Sequence, residues 1–439
     1  MAKRRALVRW LTPGLGVKRW LLVLLVGITI LALGLALFLR DLYGLTGYPP
    51  FIRVLALQFW PRWLRALTFG GIGLGLTALG VFRLNHTLLQ AYTPGGQVDP
   101  AEVAERVYRS RRRRRGPRLV AIGGGTGLSA LLRGVKHYTD NITAIVTVAD
   151  DGGSSGRLRR SLGVLPPGDF RNCIAALADD EALTTQLFQY RFPSSPPGSD
   201  RETGGLEGHS FGNLFITTMA EVTGSFERAL LESGKVLAIR GQIVPSTLED
   251  VTLCADVAAE HGAERVSGES AIPKARWPIE RVYLEPDGVR AYPGAVRAIL
   301  EADLIALGPG SLYTSVLPNL LVADIAEALR SSQAPKVYIC NVATQRGETD
   351  GYSLADHVAA LDRHVGPAVF SHVLANNNLA HPLPDEGTVT LVPPEVPPGF
   401  TYEVVSDDLV DNTRPWRHHP AKLAAALFEW YGTYDARGA

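Results

Sequence analysis

The stretch LVAIGGGTGLSALLRGV, residues 119–135, constrains the fold more than any other part of this chain. Leu119 to Ile122 suit a β-strand, and Gly123, Gly124, Gly125, Thr126 and Gly127 follow at once. From there Leu128, Leu131, Leu132 and Val135 repeat on one helical face. A strand that turns so abruptly into a helix requires residues that tolerate positive φ and close backbone approach, which glycine supplies. The first amides of the helix point at whatever lies in the turn, and the helix dipole favours an anion there. The junction therefore predicts a phosphate cradle, with Thr126 adding a hydroxyl and a tight structural turn as the alternative. It lacks the lysine of a P-loop. It also misses G-x-G-x-x-G, because with Gly123 and Gly125 in the first two positions Leu128 takes the third. A dinucleotide oxidoreductase is disfavoured on that ground.

NITAIVTVAD, residues 141–150, reads as a second, nearly continuous apolar strand and completes a βαβ unit. Apolar runs at 236–244, 251–257, 279–284, 303–308, 336–342 and 369–374 alternate with helical patterns at 211–233, 318–330 and 353–364. The fold class expected is α/β: a Rossmann-like, mainly parallel, doubly wound sheet over residues 117–433, with insertions and a short tail at 434–439. Ligands of such sheets bind beyond the carboxyl ends of the strands.

Other polar, glycine-bearing segments fall at expected strand exits. ADDGGSSGRLRRSLGVLPPGDFRN, residues 149–172, places Asp150 and Asp151 beside a donor-rich loop with Ser154, then Arg157, Asp169 and Asn172. The carboxylates suit ribose or ligand hydroxyls, or a metal, and the arginines suit phosphate; paired Asp before Gly-Gly is also a simple turn device. Gly308, Pro309, Gly310 and Ser311, then Tyr313, Thr314, Ser315 and Asn319, form a second possible cradle. Asn341, Thr344, Gln345, Glu348 and Thr349 follow the next strand, and His209 and Asn213 open a long helix. Glu348, Asp356 and His357 are not assigned as metal ligands.

The first 116 residues differ in character. Trp20 to Leu39 is uncharged and long enough, at about 1.5 Å per residue, to cross a hydrocarbon core of roughly 30 Å. Ala66 to Phe82 is a second uncharged stretch, and Trp60, Arg62, Trp63 and Arg65 between them suit a membrane interface. No small-residue cleavage site follows the first stretch, which argues against a signal peptide. Residues 1–86 are thus read as a membrane hairpin, with spans at 20–39 and 66–82, and 87–116 as a basic linker. Lys3, Arg4, Arg5, Arg9, Lys18 and Arg19 place the N-terminus, and with it the main domain, in the cytoplasm against the inner membrane. The run Arg111 to Arg115 suits anionic lipid in that position, with a solvated linker as the alternative. The net charge of +1 argues against a general nucleic-acid binder, and Cys173, Cys254 and Cys340 are too scattered for a zinc ribbon or disulfide framework.

Taken in order, GGGTGLS, TVADDGGSSGRLR, LPPGDFRN, GHSFGNLF, ALGPGSLYTSVLPNLL and NVATQRGETDGYSLADH resemble the YvcK/CofD-like family, most closely its gluconeogenesis-factor (YvcK) branch. The resemblance covers residues 117–433. It implies a Rossmann-like fold that binds a nucleotide-type ligand, with Gly123 to Leu128 and Gly308 to Ser311 around the phosphates. For the YvcK branch it implies UDP-sugar binding, and links to carbon metabolism, cell shape and peptidoglycan synthesis through a partner protein. For the CofD branch it implies a magnesium-dependent 2-phospho-L-lactate transferase, with Asp150 and Asp151 matching the acidic pair near the reacting hydroxyl. Here that pair continues as GGSSGRLR, as in YvcK. The expectation is a non-catalytic nucleotide-sugar binder with no firm cofactor, tethered to membrane lipid through residues 1–115 and able to form homo-oligomers. A CofD-like transferase is the alternative.

Overall fold

A computed structural model describes residues 113–193, 205–260, 262–383 and 389–438, with scattered positions between 26 and 77. The chain divides into two compact units, 1–111 and 112–439. The two expected membrane spans lie largely outside the described residues; among those described, no single helix is long and apolar enough to cross a membrane.

The second unit is built on a seven-stranded parallel sheet of order β10-β9-β8-β7-β1-β2-β3. β1 (Leu119–Gly123), β2 (Ile142–Val146), β7 (Leu304–Leu307) and β9 (His372–Asn376) are buried along their whole length. That is why their sequences read as continuous apolar runs rather than alternating ones. β3 (Gln242–Pro245), β8 (Lys336–Ile339) and β10 (Glu403–Asp407) complete the sheet. From β1 the chain winds through β2 to β3, whereas β7 to β10 wind outward on the other side. β1 and β7 thus flank the point where the winding reverses, the usual place for a ligand crevice.

Helix α1 (Gly125–Val135) follows β1 directly, and its Leu128, Leu131, Leu132 and Val135 are fully buried, as their spacing predicts. α2 (Gly153–Leu162), α3 (Gly168–Leu177) and α4 (Glu181–Gln189) follow β2. The helical pattern 211–233 is two helices, α5 (Phe211–Thr223) and α6 (Phe226–Val236), separated at Gly224 in the left-handed region with φ 73°. Of the run 236–244, only its last three residues enter β3; the rest is helix end and turn. β2 also stops at Val146, so Asp150 sits in the loop rather than on the strand.

The largest departure is an insertion. β4 (Thr252–Ala259), β5 (Gly262–Ser267) and β6 (Ile279–Glu285) form a separate antiparallel sheet of order β5-β4-β6, with the short α7 (Ile272–Ala275) between β5 and β6. Two of these strands read in the sequence like further members of the parallel set. α8 (Pro293–Leu300) leads into β7. A π-helical turn (Leu312–Val316), α9 (Leu317–Leu320) and α10 (Ala323–Ser331) follow it. α11 (Leu354–Val365) starts with a capping box between Ser353 and Asp356. A hairpin, β11 (Val410–Asp411) and β12 (Arg414–His418), precedes α12 (Pro420–Gly438), which continues past residue 433. Cys173, Cys254 and Cys340 are buried free thiols.

Candidate functional site

The two glycine loops meet. A methyl group added at Gly127 would stand 2.5 Å from the Pro309 carbonyl oxygen and 2.8 Å from the Gly310 Cα. Only glycine lets the first turn of α1 lie this close to the loop after β7. Gly125 takes φ 62° and Gly308 φ 82°, the left-handed region that glycine enters without strain. The Gly308 amide donates to the Ile122 carbonyl at 2.7 Å. Buried Asn319 donates from Nδ2 to the carbonyls of Gly123 at 3.0 Å and Ser315 at 2.8 Å, which ties the π-helical turn to the end of β1. Asn341 donates to the Gly310 carbonyl at 2.8 Å, and Gln345 to the Ser311 hydroxyl at 2.8 Å. Both therefore buttress the second loop as well as facing the crevice.

A cavity of about 1350 Å³ opens over this junction. Of the residues expected at the site, it is lined by Gly124, Gly125, Thr126, Gly127, Asp150, Asp169, Asn172, Gly310, Ser311, Thr314, Asn341, Thr344 and Gln345. Gly123, Leu128, Gly308, Pro309 and Tyr313 sit behind that lining. Leu128 is core, and Tyr313 is fully buried with its hydroxyl 2.8 Å from that of Tyr352, because the π-helical turn rotates it away from the rim. Asp151 is also outside the lining. Its Oδ1 accepts the Ser270 amide at 2.9 Å, which fixes the loop that brings neighbouring Glu269 into the cavity.

Ser154, Arg157, His209 and Asn213 form a brace between α2 and the start of α5. The His209 Nδ1 is 3.0 Å from the Ser154 hydroxyl, and Arg157 Nε donates to His209 Nε2 at 3.4 Å. Arginine can only donate, so Nε2 is bare and the proton rests on Nδ1. Burial, followed by the Arg157 charge, holds this imidazole below its usual range. Asn213 Nδ2 donates to the hydroxyls of Ser154 at 3.1 Å and Ser155 at 3.3 Å.

The electrostatics of the crevice are acidic at its centre. Asp169 lies against the glycine loop, and a methyl group at Gly124 would meet its Oδ2 at 2.5 Å. Burial, reinforced by the Asp150 charge, pushes Asp169 up to about 7. Burial raises Glu269 to about 8, with Asp150 and Asp169 adding to the effect. Burial also raises Glu348 to about 7, against the hydrogen bond from Thr314 at 3.1 Å. Asp150 is raised by burial, although the Gly152 amide donates to it at 2.9 Å. Among the described residues no three His, Cys, Asp or Glu side chains gather as a metal-binding set.

The outer wall carries the opposite charge. Arg133, Arg346, Arg414 and Arg417 line it together with Trp416 and Gln186. None of these was expected from sequence. Arg414 and Trp416 come from the β11–β12 hairpin, whose short strands carry no clear periodicity, and Glu269 comes from the antiparallel insertion. Glu348 was visible as a polar residue after β8. His357 is fully buried, with Nδ1 2.8 Å from the Ser353 carbonyl. The basic run is in part structural, since Arg113 pairs with Asp140 at 3.0 Å.

The CofD family profile, described as 2-phospho-L-lactate transferase CofD, matches residues 119–387. The gluconeogenesis factor of Bacillus subtilis is 51% identical over 270 residues, covering 62% of this chain and 81% of its own length. A Nostoc sp. relative is 47% identical over 436 residues, covering 97% of this chain and 92% of its own, so its likeness extends into the first unit. The crystal structure of a UPF0052-family protein from Bacillus halodurans superposes with a TM-score of 0.64 at 44% identity. It covers 71% of this chain and 99% of that one.

Proposed function

This chain belongs to the CofD-like family, in its gluconeogenesis-factor branch, and we propose that it is a regulatory protein that binds a UDP-sugar at the cytoplasmic face of the inner membrane. The observation that carries this reading is the contact of Gly127 with Pro309 and Gly310. It sets two glycine loops and the α1 N-terminus around one crevice at the switch point of the sheet, where a diphosphate is favoured. Asn341, Thr344 and Gln345 offer amides and a hydroxyl for a sugar or ribose, and Trp416 offers a face for a base. Occupancy would alter contact with a partner in carbon metabolism, cell-wall synthesis or cell-shape control. Residues 1–86 would tether it as a two-pass hairpin, with 87–115 against anionic lipid.

The second reading is a CofD-like transferase. What favours it is the set of carboxyl groups in the crevice, Asp169, Glu269 and Glu348, raised to about 7, 8 and 7, close to the value a general base requires at neutral pH. A thermal-shift and calorimetric screen with UDP-GlcNAc, UDP-glucose, GDP and GTP, with and without Mg²⁺, separates the two. Stabilisation by UDP-sugars without metal supports the binder. Stabilisation by guanine nucleotides alone, and only with Mg²⁺, supports the transferase.

A further inference from the structure

The anion cradle already has a carboxyl group beside it, and it is the chain's own. Asp169 comes from the first turn of α3, and its carboxyl group lines the crevice beside the N-terminus of α1. It packs so closely on Gly124 that no Cβ fits between them. The charges around it are mostly of the same sign. Asp150 faces it from the loop after β2, and Glu269 from the antiparallel insertion. Glu348 adds to the field at Glu269 from the loop after β8. Arg171, two residues along α3, is the opposing charge; it is committed to the Ser210 hydroxyl at 2.7 Å and the Asn172 side chain at 3.1 Å. From the π-helical turn, the neutral side chain of Ser315 approaches the same glycine. A ligand phosphate that reaches the Gly125 and Thr126 amides is thus brought beside an anionic carboxylate with little cationic compensation.

We infer that Asp169 is the specificity-determining group of this cradle: it takes up a proton when a phosphate ester enters, and so favours a pyrophosphate diester over a terminal phosphate of higher charge. The inference rests on the nucleotide-sugar reading and deepens it. The direction follows from electrostatics. A phosphate placed beside a carboxylate disfavours its charged form. Burial has already brought Asp169 to about 7, so a small further push protonates it near neutrality. Asp150 is the first charge that raises both Asp169 and Glu269, and Asp169 also raises Glu269, so the protons on these carboxyl groups are linked. A sugar nucleotide is a diester whose phosphates do not titrate near neutral pH, so protons taken up on binding come onto the protein. UDP carries a terminal phosphate with an additional charge, which meets stronger repulsion.

The test is calorimetric titration of the full chain with UDP-GlcNAc and with UDP, in EDTA. Each is run at pH 6 and pH 8 in two buffers of different ionisation enthalpy. The expected result is uptake of a substantial fraction of one proton per UDP-GlcNAc at pH 8, little uptake at pH 6, and weaker binding of UDP than of UDP-GlcNAc at pH 8. In Asp169→Asn the pH 8 uptake shrinks and the preference narrows; Glu269→Gln shrinks the uptake through the coupled partner. Binding of UDP-GlcNAc with no proton uptake at pH 8, or with UDP the tighter ligand, overturns the inference and leaves the nucleotide-sugar reading standing. Absence of UDP-GlcNAc binding at both pH values removes the reading on which it rests.

Discussion

Gly127 on α1 and Pro309 after β7 are in backbone contact, with no room for a side chain between them. This contact joins two loops that are far apart in sequence, and it makes one cradle from two modest turns. Gly123 contributes differently, since a methyl group there would have its nearest neighbour at an ordinary 3.7 Å. The two glycines should therefore respond unequally to the same substitution. Gly127→Ala is expected to lower stability by about 1–3 kcal/mol through overpacking and to abolish nucleotide-sugar binding. Gly123→Ala is expected to leave both nearly unchanged. Chemical denaturation and calorimetry of the two variants check this.

Asn319 clamps the Gly123 and Ser315 carbonyls from a fully buried position. Asn319→Ala removes the donor and leaves two buried acceptors short of a partner. A loss of about 1–3 kcal/mol follows from the desolvation of such groups. The midpoint of urea unfolding measures it.

The acidic crevice makes stability depend on pH in a definite direction. Folding raises Asp169 from 3.8 to about 7, Glu348 from 4.5 to about 7, and Glu269 from 4.5 to about 8. The folded state therefore holds more protons than the unfolded chain between those values. The contribution is fully present below the unfolded values and is lost as pH rises through 7 to 8. His418 acts in the opposite sense: burial lowers it from 6.5 to about 4, so its penalty is confined to lower pH and vanishes above 6.5. Ligand-free protein should thus melt several degrees lower at pH 8.5 than at pH 6.5. Each full proton of difference is worth about 1.4 kcal/mol per pH unit. Asp169→Asn should flatten the profile, and scanning calorimetry across that range reads it.

How much of this was legible in the sequence depends on how local the cause was. The strand, glycine loop and helix at 119–135 are set by neighbouring residues, and the structure has them where periodicity puts them. The same holds for the loop after β7 and for the polar residues after β8. What escaped was decided at long range. An apolar run such as 251–257 looks alike in either sheet, and only its partners place β4 in the antiparallel insertion. Glu269 enters the crevice because the next amide, that of Ser270, is held by Asp151, 119 positions away from Ser270. Tyr313 carries a polar group in a polar motif, yet a π-helical turn directs it to Tyr352.

Trp416 is 41% exposed on the β11–β12 hairpin and faces the crevice without contributing to the core. Trp416→Ala should therefore weaken nucleotide-sugar affinity at least about tenfold, in keeping with the loss of a stacking face, while the melting temperature of ligand-free protein stays within error. A melting shift as large as that of Gly127→Ala would instead make the residue structural.

The first unit makes a separate claim. The full chain should sediment with inner membranes and resist extraction by high salt, whereas residues 112–439 should remain in the supernatant and bind the same ligand. Membrane fractionation of both forms decides the matter.

The central claim is that the paired glycine loops hold the diphosphate of a nucleotide sugar. Its most direct test is a calorimetric titration of UDP-GlcNAc into the wild-type chain and into Gly125→Val. That substitution forces a β-branched residue into the left-handed conformation at the N-terminus of α1. The account predicts one-site binding with a sub-millimolar Kd in the wild type and none in the variant. No heat of binding in the folded wild type, or equal affinity in the two proteins, would contradict it.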